Sequence, residues 1–354
     1  MSVSRLRLIA GAALSVTVAL AGCAQSGPSQ QTMLPQVANA AVKPDYCVGG
    51  ASLRSNLSAL ATANVPAQPN TSKTSKHSRE MLYVLLVGNT EEASVELFDA
   101  YAKNPKLMRT VGNLGTFPSA IWTDGQGNVY VGLGQSSLDS SVVVYRPGMT
   151  GKPLRTYTKG IALPFGGTVD SKGNVYVSDG GLIGYVQGDV AIYPPGKLKP
   201  SQIKYNNVYV PHGIAVDAKR DIFVANVYGK LTFVVEFPHD AYEGIILPLN
   251  DLKGGFLQGL VLDSHNDIVT ADECNPAVRF YPPPYKNESA ALTQGLFSPD
   301  SVAYAPDGSL FVGNQFVGNY GNVVVYAPGA SQPNRTIVDG INGQVFGVAI
   351  GRTP

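Results

Sequence analysis

Short apolar runs alternate with turn residues along most of this chain, and the arrangement returns about every 46 residues. Phe117-Pro118-Ser119-Ala120-Ile121 leads through Thr123-Asp124-Gly125-Gln126-Gly127-Asn128 to Val129-Tyr130-Val131. The same phrase starts again at Pro164, Pro211, Leu257 and Pro299, at intervals of 46, 47, 46 and 42 residues. Six positions after four of the five anchors comes Asp124, Asp170, Asp217 or Asp263, and eleven and twelve after every anchor come Val129-Tyr130, Val175-Tyr176, Ile222-Phe223, Ile268-Val269 and Leu310-Phe311. The intervening Gly-Gln-Gly-Asn, Ser-Lys-Gly-Asn and Pro306-Asp307-Gly308 segments tolerate positive φ or preset a turn, so each copy reads as strand, tight turn, strand. A third apolar run ends in an aromatic beside proline (Tyr145, Tyr193, Phe237, Tyr281, Tyr326), where the missing N–H stops the ladder. A weaker fourth run (Leu154–Tyr157, Gln202–Tyr205, Arg335–Val338) completes four strands per repeat.

A period in this range, carried by short strands, predicts a radial array of blades. The two ends complete the count. Val345–Ile350 matches the first strand of a repeat and then the sequence stops, whereas Leu85-Leu86-Val87-Gly88-Asn89 matches a second strand, like Leu310–Asn314. The expectation is an all-β, six-bladed β-propeller of four-stranded blades over residues 79–354, closed by the C-terminal strand completing the first blade. Such closure removes the exposed strand edges of an open array.

Pro211-His212-Gly213-Ile214-Ala215-Val216-Asp217, followed by Asp221-Ile222-Phe223-Val224-Ala225-Asn226, resembles an NHL repeat, as do the segments from Pro164 and Pro299. The chain after Met81 is similar to NHL and SMP-30/gluconolactonase-like propellers. That resemblance implies the fold; the group includes lactonases, lyases and pure binding modules.

The first 80 residues carry a different signal. Arg5 and Arg7 precede an apolar stretch from Leu8 to Leu20, short for a membrane span, which ends at Leu20-Ala21-Gly22-Cys23, similar to a bacterial lipobox. Residues 1–22 are therefore expected to be a lipoprotein signal peptide and Cys23 the lipidated first residue of an extracytoplasmic protein at the bacterial cell envelope. By resemblance to enteric lipoproteins, Ala24 after the cysteine favours the outer membrane. Residues 23–78, rich in Ser, Gln, Pro, Ala, Asn and Thr, read as a flexible tether.

Composition narrows the partners. With 26 basic and 25 acidic residues and no basic stripe interleaved with aromatics, nucleic acid is excluded as a partner. The membrane, through the lipid on Cys23, and an envelope protein, glycan or small ligand remain, and a monomer is expected. Besides Cys23 the chain holds Cys47 and Cys274, which either form a disulfide stapling the tether to the fifth blade or remain free thiols.

Any chemistry is expected at the mouth of the central channel, where the innermost strands begin and the second strands end. Ser119, Phe165, His212, Gln258, Asp300 and Phe346, one after each anchor, form one ring; Asn89, Leu133, Asp179, Asn226, Asp272 and Asn314 form another. Phe165, His212, Gln258, Asp300 and Phe346 are the candidate ligand-binding residues. His212, Asn226, Asp272 and Asp300 could coordinate a hard divalent cation such as Ca²⁺. The alternative for the second ring is turn capping, because Asn or Asp recurs there in five of six copies. In gluconolactonase-like enzymes a Glu from an early blade joins an Asn and an Asp at the metal; Phe346 and Ser119 stand at the matching positions here. Two functions follow: a non-catalytic binding or interaction module at the envelope, or a metal-dependent lactonase, hydrolase or lyase using His212, Asp272 and Asp300.

Overall fold

The computed structural model describes residues 80–87, 93–115, 118–134, 140–181, 187–250, 252, 254–317 and 320–352. They form six antiparallel four-stranded sheets arranged as a six-bladed β-propeller. Blade 1 runs, from the channel outward, Gln344–Arg352, Glu80–Val87, Ala93–Asp99 and Leu107–Val111. The C-terminal strand is thus the innermost strand of the blade that the N-terminal part of the domain begins. It pairs with Glu80–Val87 from Glu80↔Arg352 to Val87↔Gln344. Blades 2 to 6 begin at Pro118, Pro164, Val210, Leu257 and Pro299 and keep strict sequence order outward.

The turn residues act as their chemistry dictates. Asp124 Oδ1 accepts the backbone N–H groups of Gln126 and Asn128, both at 2.9 Å, and Asp170, Asp217 and Asp263 repeat this Asx turn. The strands alternate faces, and because both faces of a blade are covered by neighbours, the second and third strands are buried nearly throughout, whereas outermost strands such as Leu107–Val111 are largely exposed. Six apolar clusters fill the six gaps between successive blades, so the core is a ring of inter-blade layers.

The channel is narrow because its inner strands approach backbone to backbone. A Cβ on Gly213 would lie 2.2 Å from the Leu260 amide nitrogen, and one on Gly166 2.5 Å from the His212 carbonyl oxygen. Glycine two residues after the anchor is therefore required by the close packing of blades 3, 4 and 5.

Candidate functional site

Every inner strand carries a register shift just after its anchor. The ladder breaks between Pro118 and Ala120, Pro164 and Gly166, Pro211 and Ile214, Leu257 and Leu260, and Pro299 and Ser301, and at the matching place in blade 1. The residue one after the anchor is thus left out of the pairing in each blade, and a bulge of this kind re-aims its side chain. Ser119, Phe165, His212, Gln258, Asp300 and Phe346 all occupy this position.

They do not act as one ring. The Ser119 hydroxyl donates to the Pro164 carbonyl at 2.5 Å, and Phe346 packs against the core between blades 1 and 2. Phe165, His212, Gln258 and Asp300, by contrast, belong to a continuous cluster across blades 3 to 6. The His212 imidazole stacks on Phe165 (centroids 5.0 Å apart, planes at 13°) and meets the Phe256 ring edge-on at 5.3 Å. Gln258, whose side chain interacts with that imidazole, donates from Nε2 to Glu273 Oε2 at 3.1 Å. Ser298 donates to the other oxygen, Glu273 Oε1, at 2.8 Å.

Burial sets the charges of this cluster. His212, 8% exposed, is pushed down to about 4 by desolvation, with Gln258 opposing weakly, so its ring is neutral near pH 7. Asp300 is held well above the ordinary carboxylate range, chiefly by its position within the protein and further by the negative charge of Glu273. Its side chain is half-buried on the innermost strand of blade 6. Two acids at one mouth, with burial and the charge of Glu273 both favouring the protonated form of Asp300, are the electrostatic signature of the site.

Glu273 is the member that sequence reasoning missed. It lies sixteen residues after its anchor, where blades 2 to 4 carry Gly134, Gly180 and Val227, and blade 6 carries Gln315. The Glu273 and Gln315 amides donate to the Phe256 and Ser298 carbonyls, which fixes both residues at equivalent places in neighbouring blades. The legible signal was a long polar side chain in two adjacent repeats where others are small or apolar.

The second ring is structural. Asp179 accepts the amides of Ala162 and Leu163 at 2.5 and 2.7 Å; Asn226 accepts that of Tyr209 at 3.0 Å; Asp272 accepts that of Phe256 at 3.0 Å; and Asn314 accepts that of Phe297 at 3.0 Å. Each cap fastens the loop leading into its own inner strand. Asp272 is also ion-paired with Arg279 Nε at 3.0 Å, both side chains being fully buried. Leu133 belongs to the core between blades 1 and 2, and Asn89 lies outside the described residues.

Asn226 and Asp272, expected above as cation ligands, therefore have their side chains engaged in the loops. Among the described residues no group of three His, Cys, Asp or Glu side chains is placed to hold a metal ion. Cys274 is disulfide-bonded. The other two cysteines, Cys23 and Cys47, lie outside the described residues, as do the signal peptide and tether.

No protein-family model and no curated protein matches this chain. Solved structures do. One is the crystal structure, at 1.35 Å resolution, of a protein of unknown function from Bacteroides caccae, 11% identical to this chain, with a TM-score of 0.58 over 78% of this chain and all of that one. At that identity the likeness is one of fold alone.

Proposed function

We propose that this protein is a non-catalytic binding module that takes a small ligand, or a small group of a larger envelope partner, at the mouth of its channel over blades 3 to 6. The observation that supports this most is the asymmetry of the mouth. One arc carries the aromatic faces of Phe165 and Phe256 about His212, and beside it lie Gln258, Glu273 and Asp300, whereas Ser119 and Phe346 across the channel are taken up by packing. A concave site with an apolar wall and a few convergent polar groups is what small-ligand recognition requires.

The lipobox-like segment at Cys23 supports a lipid-anchored place at the cell envelope, and the repeat phrase supports kinship with the NHL and SMP-30-like propellers. On this reading Cys23 carries lipid, which leaves Cys47 as the partner of Cys274. The chain is then a tethered receptor, held by its lipid because no helix among the described residues is long and apolar enough to cross a membrane.

A ligand-observed NMR screen of a small-fragment library tests the site, using the full chain with Cys23→Ser as soluble protein. Fragments that compete with one another and are lost in Phe165→Ala are expected. Fragments unaffected by Phe165→Ala, or none at all, would remove the channel mouth from consideration. The Cys23→Ser chain should no longer incorporate labelled lipid or sediment with membranes.

A further inference from the structure

The polar atoms left unsatisfied at this mouth can all accept hydrogen bonds. His212 Nε2 and Gln315 Oε1 are buried without partners, in residues 8% and 2% exposed. The neutral imidazole can present Nε2 as an acceptor. Asp300 receives no donor among the described residues, and Glu273 already accepts from Gln258 and Ser298. These groups are contiguous: His212 interacts with Gln258, Gln258 with Glu273, Glu273 with Asp300 and Ser298, and the Gln315 amide with the Ser298 carbonyl. What the site lacks is N–H donors. Buried acceptors without donors carry a desolvation cost, and a ligand that supplies donors removes it.

Charge and shape narrow the donor. Two carboxyl groups lie at the mouth, and aromatic rings flank it on the side of His212, a setting that favours a positive charge. A divalent cation is the competing occupant, and although no three His, Cys, Asp or Glu side chains gather among the described residues, it is kept as an arm of the test. We propose that the ligand is an organic ammonium, its N–H groups donating to Asp300, Gln315 and His212 and its charge set against Asp300 and Glu273. This rests on reading the channel mouth as a ligand site.

Burial and Glu273 favour the protonated form of Asp300 in the unliganded protein, and an ammonium set against it favours loss of that proton. The ammonium enters with all its protons, the Asp300 O–H bond breaks, its electron pair stays on the carboxylate, and the proton leaves to the buffer. Glu273 is the charged group that acts on Asp300, and His212 stays neutral, so no other titration is needed.

Isothermal titration of the full-length Cys23→Ser protein with n-butylammonium, n-butanol and Ca²⁺, each in two buffers of different ionisation enthalpy near about pH 7, tests this. Butylammonium should bind about tenfold more tightly than butanol and release protons on binding. Asp300→Asn should weaken butylammonium about tenfold and abolish proton release; Gln315→Leu should weaken it and leave the release intact. Butanol binding as tightly as butylammonium, stoichiometric Ca²⁺ competing with it, or butylammonium without proton release would overturn the ammonium assignment. If butanol binds and Phe165→Ala removes it, the mouth stands as a ligand site and only its charge preference fails. No binding of butylammonium overturns the assignment, and absence of fragment hits as well removes the site itself.

Discussion

Tyr83 and Gly148 join the first blade to the second: the Gly148 amide donates to the Tyr83 hydroxyl at 2.8 Å. The same hydroxyl donates to the carbonyl of Arg352 at 3.4 Å, at the end of the C-terminal strand. One side chain thus bridges the strand that opens the described domain, the strand that closes it and the neighbouring blade. Tyr83→Phe leaves the buried Gly148 amide unsatisfied and should cost about 1–3 kcal/mol. Deleting residues 345–354 removes most of the inner strand of blade 1 and should abolish the cooperative melt or cause aggregation. Calorimetry of both variants checks this; an unchanged melt of the deletion would contradict the closure.

The pH dependence of stability should carry the mark of two half-buried, desolvated acids. Asp189 is raised to about 8 by burial, with the negative charge of Asp179 adding to it, and Asp300 is raised by burial and by Glu273. For both, the folded state binds the proton more tightly than the unfolded chain. Their contribution to stability is fully present below about pH 4, is lost progressively as pH rises toward the folded pKa, and stays lost above it. For Asp189 that window closes near about 8. Asp189→Asn and Asp300→Asn should each flatten the slope and raise stability near neutral pH, by on the order of 1–3 kcal/mol. Denaturant titrations from about pH 5 to 9 measure it, and a slope identical to the parent's would contradict the burial of these acids. Asp300→Asn should thus stabilise the fold while weakening the site.

Asp272 should behave as structure. It caps the loop before Leu257 and neutralises the fully buried Arg279, which Glu288 also contacts. Asp272→Ala leaves a buried cation short of a partner and should cost about 3–5 kcal/mol, read from urea midpoints. A loss of bound metal with unchanged stability would contradict the capping role and restore Asp272 as a ligand.

The fold was legible because each blade repeats the physical reasons for its own turns. Asp124 and its equivalents close Asx turns, Gly127, Gly173 and Gly308 take positive φ at 81°, 83° and 86°, and Pro147, Pro194, Pro238, Pro282 and Pro328 follow the third strand or its next residue. In the site, the bulge position fixed where Phe165, His212, Gln258 and Asp300 stand, so counting from the anchor found them. Glu273 was harder to see because it lies in the turn after the second strand, where position is set by loop hydrogen bonds and not by period. Asn226 and Asp272 show the converse: a shared position in the repeat was legible, but the direction of the side chain depended on the loop amides of Tyr209 and Phe256.

The disulfide at Cys274 lies next to Glu273 in a buried turn, so it should stabilise the propeller by holding a distant part of the chain to blade 5. Reduction, or Cys274→Ala, should lower stability by about 2–4 kcal/mol. Non-reducing peptide mapping together with melts in the presence and absence of reductant checks both the bond and its effect. A free Cys274 thiol in protein exported by its own host would contradict it.

A crystal structure of the Cys23→Ser chain soaked with n-butylamine at about pH 8, where the amine is charged, tests the central claim most directly. The account predicts the ammonium nitrogen within hydrogen-bond distance of Asp300 and Gln315, the alkyl chain along Phe165 or Phe256, and lower occupancy in the Asp300→Asn crystal at the same subsaturating amine concentration. Ligand bound away from blades 3 to 6, or an empty channel mouth at saturating amine, would contradict it.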